Sequence, residues 1–143
     1  MFDKILLPID LDEESSWHKA LPVAELLAAD YGAELNVLAV IPTFNMSVVG
    51  SYFPQGYEKQ AMADAKERLK ELLEAKCTRD GVKVKGHVAH GTIYQEIIQV
   101  ADDLSCDLIV ISSHRPELKD YLLGPNAARV VRHAGQSVFV VRN

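Results

Sequence analysis

What the sequence has little of narrows the choice first. Cysteine occurs only as Cys77 and Cys106, 29 positions apart, with no CxxC pair and no histidine at ligand spacing. That excludes a zinc module or a dithiol redox motif, and two buried or half-buried free thiols are expected instead. No apolar stretch reaches the roughly 20 residues of a membrane helix. The opening Met1-Phe2-Asp3-Lys4 leads into a five-residue apolar run without the pattern of a signal peptide, so a cytoplasmic location without membrane contact is expected. Basic excess is missing too. The formal net charge is −5, which argues against nucleic acid phosphates and anionic lipid as partners. Neither GxGxxG nor GxxxxGK[ST] occurs, and a single glycine stands between Ile111 and Ala134, so the common phosphate-loop signatures are absent.

What remains is ordinary folding material. The 143 residues, 48% hydrophobic and 24% charged, suit one domain with a core of its own. Nearly continuous apolar runs of strand length recur at Ile5-Leu6-Leu7-Pro8-Ile9, Leu35 to Val40, Leu108 to Ile111 and Val138 to Val141, the pattern of strands buried on both faces. Val82 to Ala89 alternates instead, with Lys83, Lys85 and His87 opposite the valines, and reads as an edge strand with His87 on an exposed face.

Helical periodicity fills the intervals. The first helix is expected from about Glu13 to Tyr31 with Gly32 as its stop, and the longest over Glu58 to Arg79 with Asp64 and Arg68 as an i,i+4 pair. Thr92 and Gln95 fit a capping box at the start of a third. Pro125 opens a fourth that ends near Ala134, with Gly135 as a left-handed exit. The order predicts an α/β fold, a doubly wound five-stranded parallel sheet with right-handed crossovers and helices on both faces. Residues 41 to 56 form a longer connection that carries Phe44, Tyr52 and Phe53, candidates for stacking or dimer contact.

In such a sheet, ligands sit outside the carboxyl ends of the strands where crossovers diverge. Asp10 follows the first strand there, with Asp12 beside it, and either could instead cap a helix. Ser112-Ser113-His114-Arg115 follows the fourth strand and returns through Leu122-Leu123-Gly124-Pro125-Asn126-Ala127 to a helix start, where free N–H groups attract an anion.

The segments Lys4-Ile5-Leu6-Leu7-Pro8-Ile9-Asp10, His90-Gly91, Cys106 to Ile111, and Leu122-Leu123-Gly124 leading to Ser137 to Val141 together resemble the universal stress protein family along the whole chain. The Ser-His-Arg-Pro of the fourth loop is similar to that of its short subgroup. The resemblance implies strand order 3-2-1-4-5, a stress-response regulatory protein, ATP or AMP as ligand with magnesium as an optional companion, and a homodimer through the last strand, Ser137 to Val141. It also implies a nucleotide-binding set of Pro8, Ile9, Asp10, Val40, Gly91, Ile111, Ser112, His114, Arg115, Gly124, Pro125, Asn126 and Ala127. Asp10 would face the ribose or adenine edge, the Val40 backbone the adenine and Ser112 the ribose, with Arg115, Gly124, Asn126 and Ala127 along the phosphates.

The family's nucleotide motif, G-x2-G-x9-G-(S/T), is not fully kept. Ser112 and Arg115 stand at its first two glycines, eight residues precede Gly124, and Pro125 replaces the hydroxyl residue. Pro125 has no N–H to donate, while Arg115 can neutralise a phosphate and Asn126 can donate an amide hydrogen bond. Two readings therefore stay open: a nucleotide-binding regulator with an as yet unknown protein partner, or a dimeric interaction protein of the same fold without nucleotide. No purpose-built catalyst and no metal site is expected. A slow ATPase is the most the candidate bases Asp10, His90 and His114 suggest. His18 and His133 fall on predicted helices, and Trp17, Tyr31, Tyr94 and Tyr121 read as packing residues.

Overall fold

A computed structural model describes residues 1–42, 56–113 and 123–142. Five strands, β1 (Lys4–Ile9), β2 (Glu34–Pro42), β3 (Val84–Gly91), β4 (Leu108–Ser113) and β5 (Ser137–Arg142), form one sheet of order β3-β2-β1-β4-β5. All four pairings are parallel. Between them run α1 (Ala20–Tyr31), α2 (Tyr57–Lys76), α3 (Ile93–Asp103) and α4 (Leu123–His133).

Strict alternation along the strands divides the core into two layers. Ile5, Leu7, Ile9, Leu35, Val37 and Val110 join α1 and Leu69 of α2 on one face, while Leu6, Leu38, Ile109 and Ile111 join Ile97 of α3 and Val130 of α4 on the other. Each inner strand is thus covered on both sides, which is why its sequence reads as a run rather than an alternation.

The central pair β1 and β4 is clamped at one end and open at the other. The Asp107 carboxylate accepts from the backbone N–H groups of Asp3 and Lys4, and Asp107 N–H donates to Lys4 C=O. Pairing then runs only through Ile5↔Leu108 and Leu6↔Ile109, whereas β1 stays paired with β2 as far as Ile9↔Ala39. Lys4 points its carbonyl toward β4 and Asp3 points its own toward β2, so by alternation the backbone of position 8 faces β4. Proline at that position has no N–H to offer, and the ladder ends just before it. The sheet forks at its carboxyl edge because of a residue that a central strand otherwise rejects.

Several expectations need correction. α1 begins at Ala20, because Glu14–Ser16 forms a separate 3-10 turn held by Ser16 Oγ, which donates to Asp10 and Glu13 carbonyls. α2 ends at Lys76 rather than Arg79. Thr92 is the N-cap residue of α3 but makes no side-chain cap, and Gln95 turns to the Tyr94 hydroxyl instead. α4 begins at Leu123, two residues before Pro125, still within the turn whose N–H groups lack helical partners. Gly32 takes the left-handed exit at φ 65°, but Gly135 is absent from the positive-φ glycines. Arg68 pairs with Asp12 across the fold at 2.9 Å rather than with Asp64, which accepts from Gln60. His18 lies just before α1. His87 is half-buried and hydrogen-bonded to Asn36 rather than exposed. No helix among the described residues is long and apolar enough to cross a membrane.

Candidate functional site

The fork between β1 and β4 opens into a hollow of about 120 Å³ lined by Pro8, Ile9, Asp10, Ser16, Val40, Pro42, Ile93, Ile97, Ile111, Ser112 and Asn126. Its walls are apolar: Ile93 and Ile97 come from α3, Pro8 and Ile9 from β1, and Ile111 from β4. Polar groups stand among them in Asp10, Ser16, Ser112 and Asn126. A second hollow of about 280 Å³ shares Asp10, Val40 and Pro42 and extends toward α2, where Tyr57, Ala61, Asp64, Ala65 and Arg68 line it. The first alone is smaller than the roughly 300–1,000 Å³ of ordinary ligand pockets. The two meeting at Asp10 reach that scale.

The loop behind Asp10 is braced from within. Asp10 N–H donates to Ser16 Oγ at 2.8 Å, and Asp12 N–H donates to Asp10 Oδ1 at 2.9 Å. Ser112 Oγ donates to the Ser15 carbonyl at 2.9 Å, which ties the end of β4 to the same loop. These bonds commit Ser16 and Ser112 to structure, while Asp10 Oδ2 takes no hydrogen bond from the described residues. Neither Asp10 nor Asp12 caps α1, whose N-cap is Lys19.

The structure thus brings Pro8, Ile9, Asp10, Val40, Ile111, Ser112 and Asn126 around one hollow. Pro125 is half-buried in the first turn of α4, and Gly124 precedes it in the helix. Ala127 turns its side chain into the core with Val130, leaving only its backbone toward any ligand. Gly91 lines neither hollow. Its φ is 149°, and Glu96 Oε1 lies 2.5 Å from where a Cβ would sit, so glycine there serves the turn into α3. His90 shares a strand face with Val84 and Val88 and lines neither hollow, and its Nε2 finds no hydrogen-bond partner among the described residues. His114, Arg115, Tyr121, Phe44, Tyr52 and Phe53 lie outside the described residues.

Sequence reasoning missed Ser16, Pro42, Ile93 and Ile97. The isoleucines were legible only as a helix face, because nothing local says that the amino end of α3 overhangs the fork. The thiols of Cys77 and Cys106 are each pushed up to about 11, by burial first and then by nearby carboxylates, with Lys4 partly opposing this at Cys106. Both are therefore held as thiols rather than thiolates at neutral pH. Among the described residues no group of three histidine, cysteine or carboxylate side chains is placed to hold a metal.

The family model described as the universal stress protein family matches residues 1–142. The chain belongs to the universal stress protein family. Universal stress protein G of Shigella flexneri is 33% identical over 99% of this chain and 100% of its own length. Among solved structures, a universal stress protein in complex with cAMP matches 99% of this chain and 97% of its own at TM-score 0.63 and 21% identity. A universal stress protein from Archaeoglobus fulgidus in complex with dAMP matches 98% and 97% at TM-score 0.68 and 18% identity. At those identities the two structures establish a shared fold for this universal stress protein.

Proposed function

We propose that this universal stress protein is a stress-response regulator that binds an adenine nucleotide, AMP or ATP, in the forked crevice and acts as a homodimer through β5. The observation that carries the reading is the apolar slot opening on Asp10 at the switch point of a parallel sheet. A flat base fits between the isoleucines of α3 and the end of β1. Asp10 Oδ2 suits a ribose hydroxyl, because a carboxylate accepts hydrogen bonds and repels phosphate. The phosphate end is then favoured on the opposite side, toward Asn126 and the first turn of α4, where N–H groups and the helix dipole attract an anion. The cAMP and dAMP ligands of two relatives support a monophosphate as the first candidate.

Calorimetric titration with AMP, ADP and ATP, with and without magnesium, tests this directly. Saturable AMP binding is expected, and Asp10→Ala should weaken it about tenfold, the worth of one hydrogen bond to a charged group. Neither heat nor thermal shift with any nucleotide would remove the reading and leave the nucleotide-free interaction protein in its place.

A further inference from the structure

At the opposite end of the sheet from β5, α2 and β3 enclose an open channel of about 680 Å³ that touches neither hollow of the crevice. Its floor is apolar, made by Leu69 and Leu73 of α2 with Val84 and Val88 of β3. Among the described residues β3 pairs only with β2, so along its outer side the backbone N–H and C=O groups have no strand partner, the arrangement that accepts an added strand.

Charge says what kind of strand. Lys66, Lys70 and Glu74 of α2 line the channel at four-residue steps, so Lys70 has one like and one opposite neighbour and the row keeps a surplus positive charge. Neither lysine makes an ion pair among the described residues, and on β3 the two cations Lys83 and Lys85 share the single carboxylate of Glu34 at 3.5 and 3.3 Å. This cationic border stands on a chain of net charge −5. A second copy of the chain docking edge to edge would set lysine against lysine, whereas an acidic strand would meet Lys66 and Lys70 along α2 and, on the other face of the sheet, Lys83 and Lys85.

We propose that the β3 edge takes up an extended acidic segment of a partner protein as a sixth strand. Its backbone pairs with β3, alternate apolar side chains pack toward Leu69 and Leu73, and its carboxylates, on the opposite face, meet Lys83 and Lys85. This is a second surface, independent of the nucleotide reading.

Fluorescence anisotropy tests it on the full chain with a labelled peptide of alternating valine and glutamate, matched in length to β3. A valine–lysine peptide and a valine–glutamate peptide methylated on alternate amide nitrogens serve as comparisons. Saturable binding of the first peptide alone is expected, weakened about tenfold or more in Lys83→Glu/Lys85→Glu, where two charges are reversed. That variant alters only exposed side chains, and an unchanged melting curve would show that it folds. Equal binding of the methylated peptide would overturn the proposal, since charge alone would then suffice. Absence of binding by the valine–glutamate peptide would overturn it as well. Uptake of decanoate with no peptide binding would assign the channel to a small amphipathic anion instead.

Discussion

Asn36 is 1% exposed in an inner strand, and a buried amide must find its hydrogen bonds inside the sheet. Its Nδ2 donates to Glu34 Oε1 at 3.2 Å, which leaves Oδ1 as the acceptor. His87 Nε2, 2.8 Å from that oxygen, must therefore carry its hydrogen. For Glu34, burial alone would raise the carboxyl, but hydrogen bonds from Asn36 and Lys85 and the charges of Lys85 and Lys83 outweigh it and hold it below its ordinary value. His87 is held below 6.5 by burial first and by Lys85 second, with Glu34 pulling the other way. The unfolded chain thus takes up a proton at His87 before the folded one does. The resulting stability is fully present above about pH 6.5 and is lost as pH falls from there through the lower folded value. His87→Gln keeps a donor for Asn36 and cannot titrate. Urea unfolding of both proteins between about pH 7.5 and 5 should show a shallower acid loss for the variant, and identical slopes would mean that other groups set it.

At the scale of elements, proline in a central strand is the feature that makes a site out of a sheet. Pro8→Val restores an N–H facing β4 and should let the β1–β4 ladder extend past Leu6↔Ile109. Slow hydrogen exchange at the new amide, with AMP affinity about tenfold lower as the slot narrows, is the expected pair of results. Fast exchange would show that the fork has another cause. The fold was legible in the sequence wherever one local pattern had one reading. The buried runs of β1, β2 and β4, the alternation of β3 and the exit at Gly32 depend only on neighbours in the chain, whereas the equally apolar run of β5 read as buried on both faces and is instead an edge with Phe139 exposed. Features set by distant contacts were not legible. Arg68 finds Asp12 56 positions away, Ser16 folds the start of the first crossover onto Asp10, and Gln95 prefers the Tyr94 hydroxyl to a cap. The same limit applied to the site. The strand-end residues Asp10, Val40 and Ser112 follow from topology, while Ile93, Ile97 and Ser16 reach the hollow only through tertiary packing.

The two edges of the whole sheet are built differently. β3 carries lysines, which oppose pairing with a second copy, whereas β5 shows Phe139 at 44% and neighbouring α4 shows Val131 at 53% exposure. Such apolar groups on an unpaired edge favour a second copy in the proposed dimer, because pairing two β5 strands satisfies both backbones and covers both phenylalanines. A carboxylate at that position would face its own symmetry mate, and like charges directly opposite oppose pairing. Phe139→Glu should therefore sediment as a monomer at concentrations where the parent chain sediments as a dimer. The crevice is lined within one chain, so the variant should keep AMP affinity within about twofold, less than 0.5 kcal/mol. Position 112 nevertheless pairs with Val141 of β5 in the sheet, and Ser112 lines the hollow. A monomer that had lost AMP binding would show that the edge and the crevice act as one unit, with nucleotide occupancy setting the strength of the dimer.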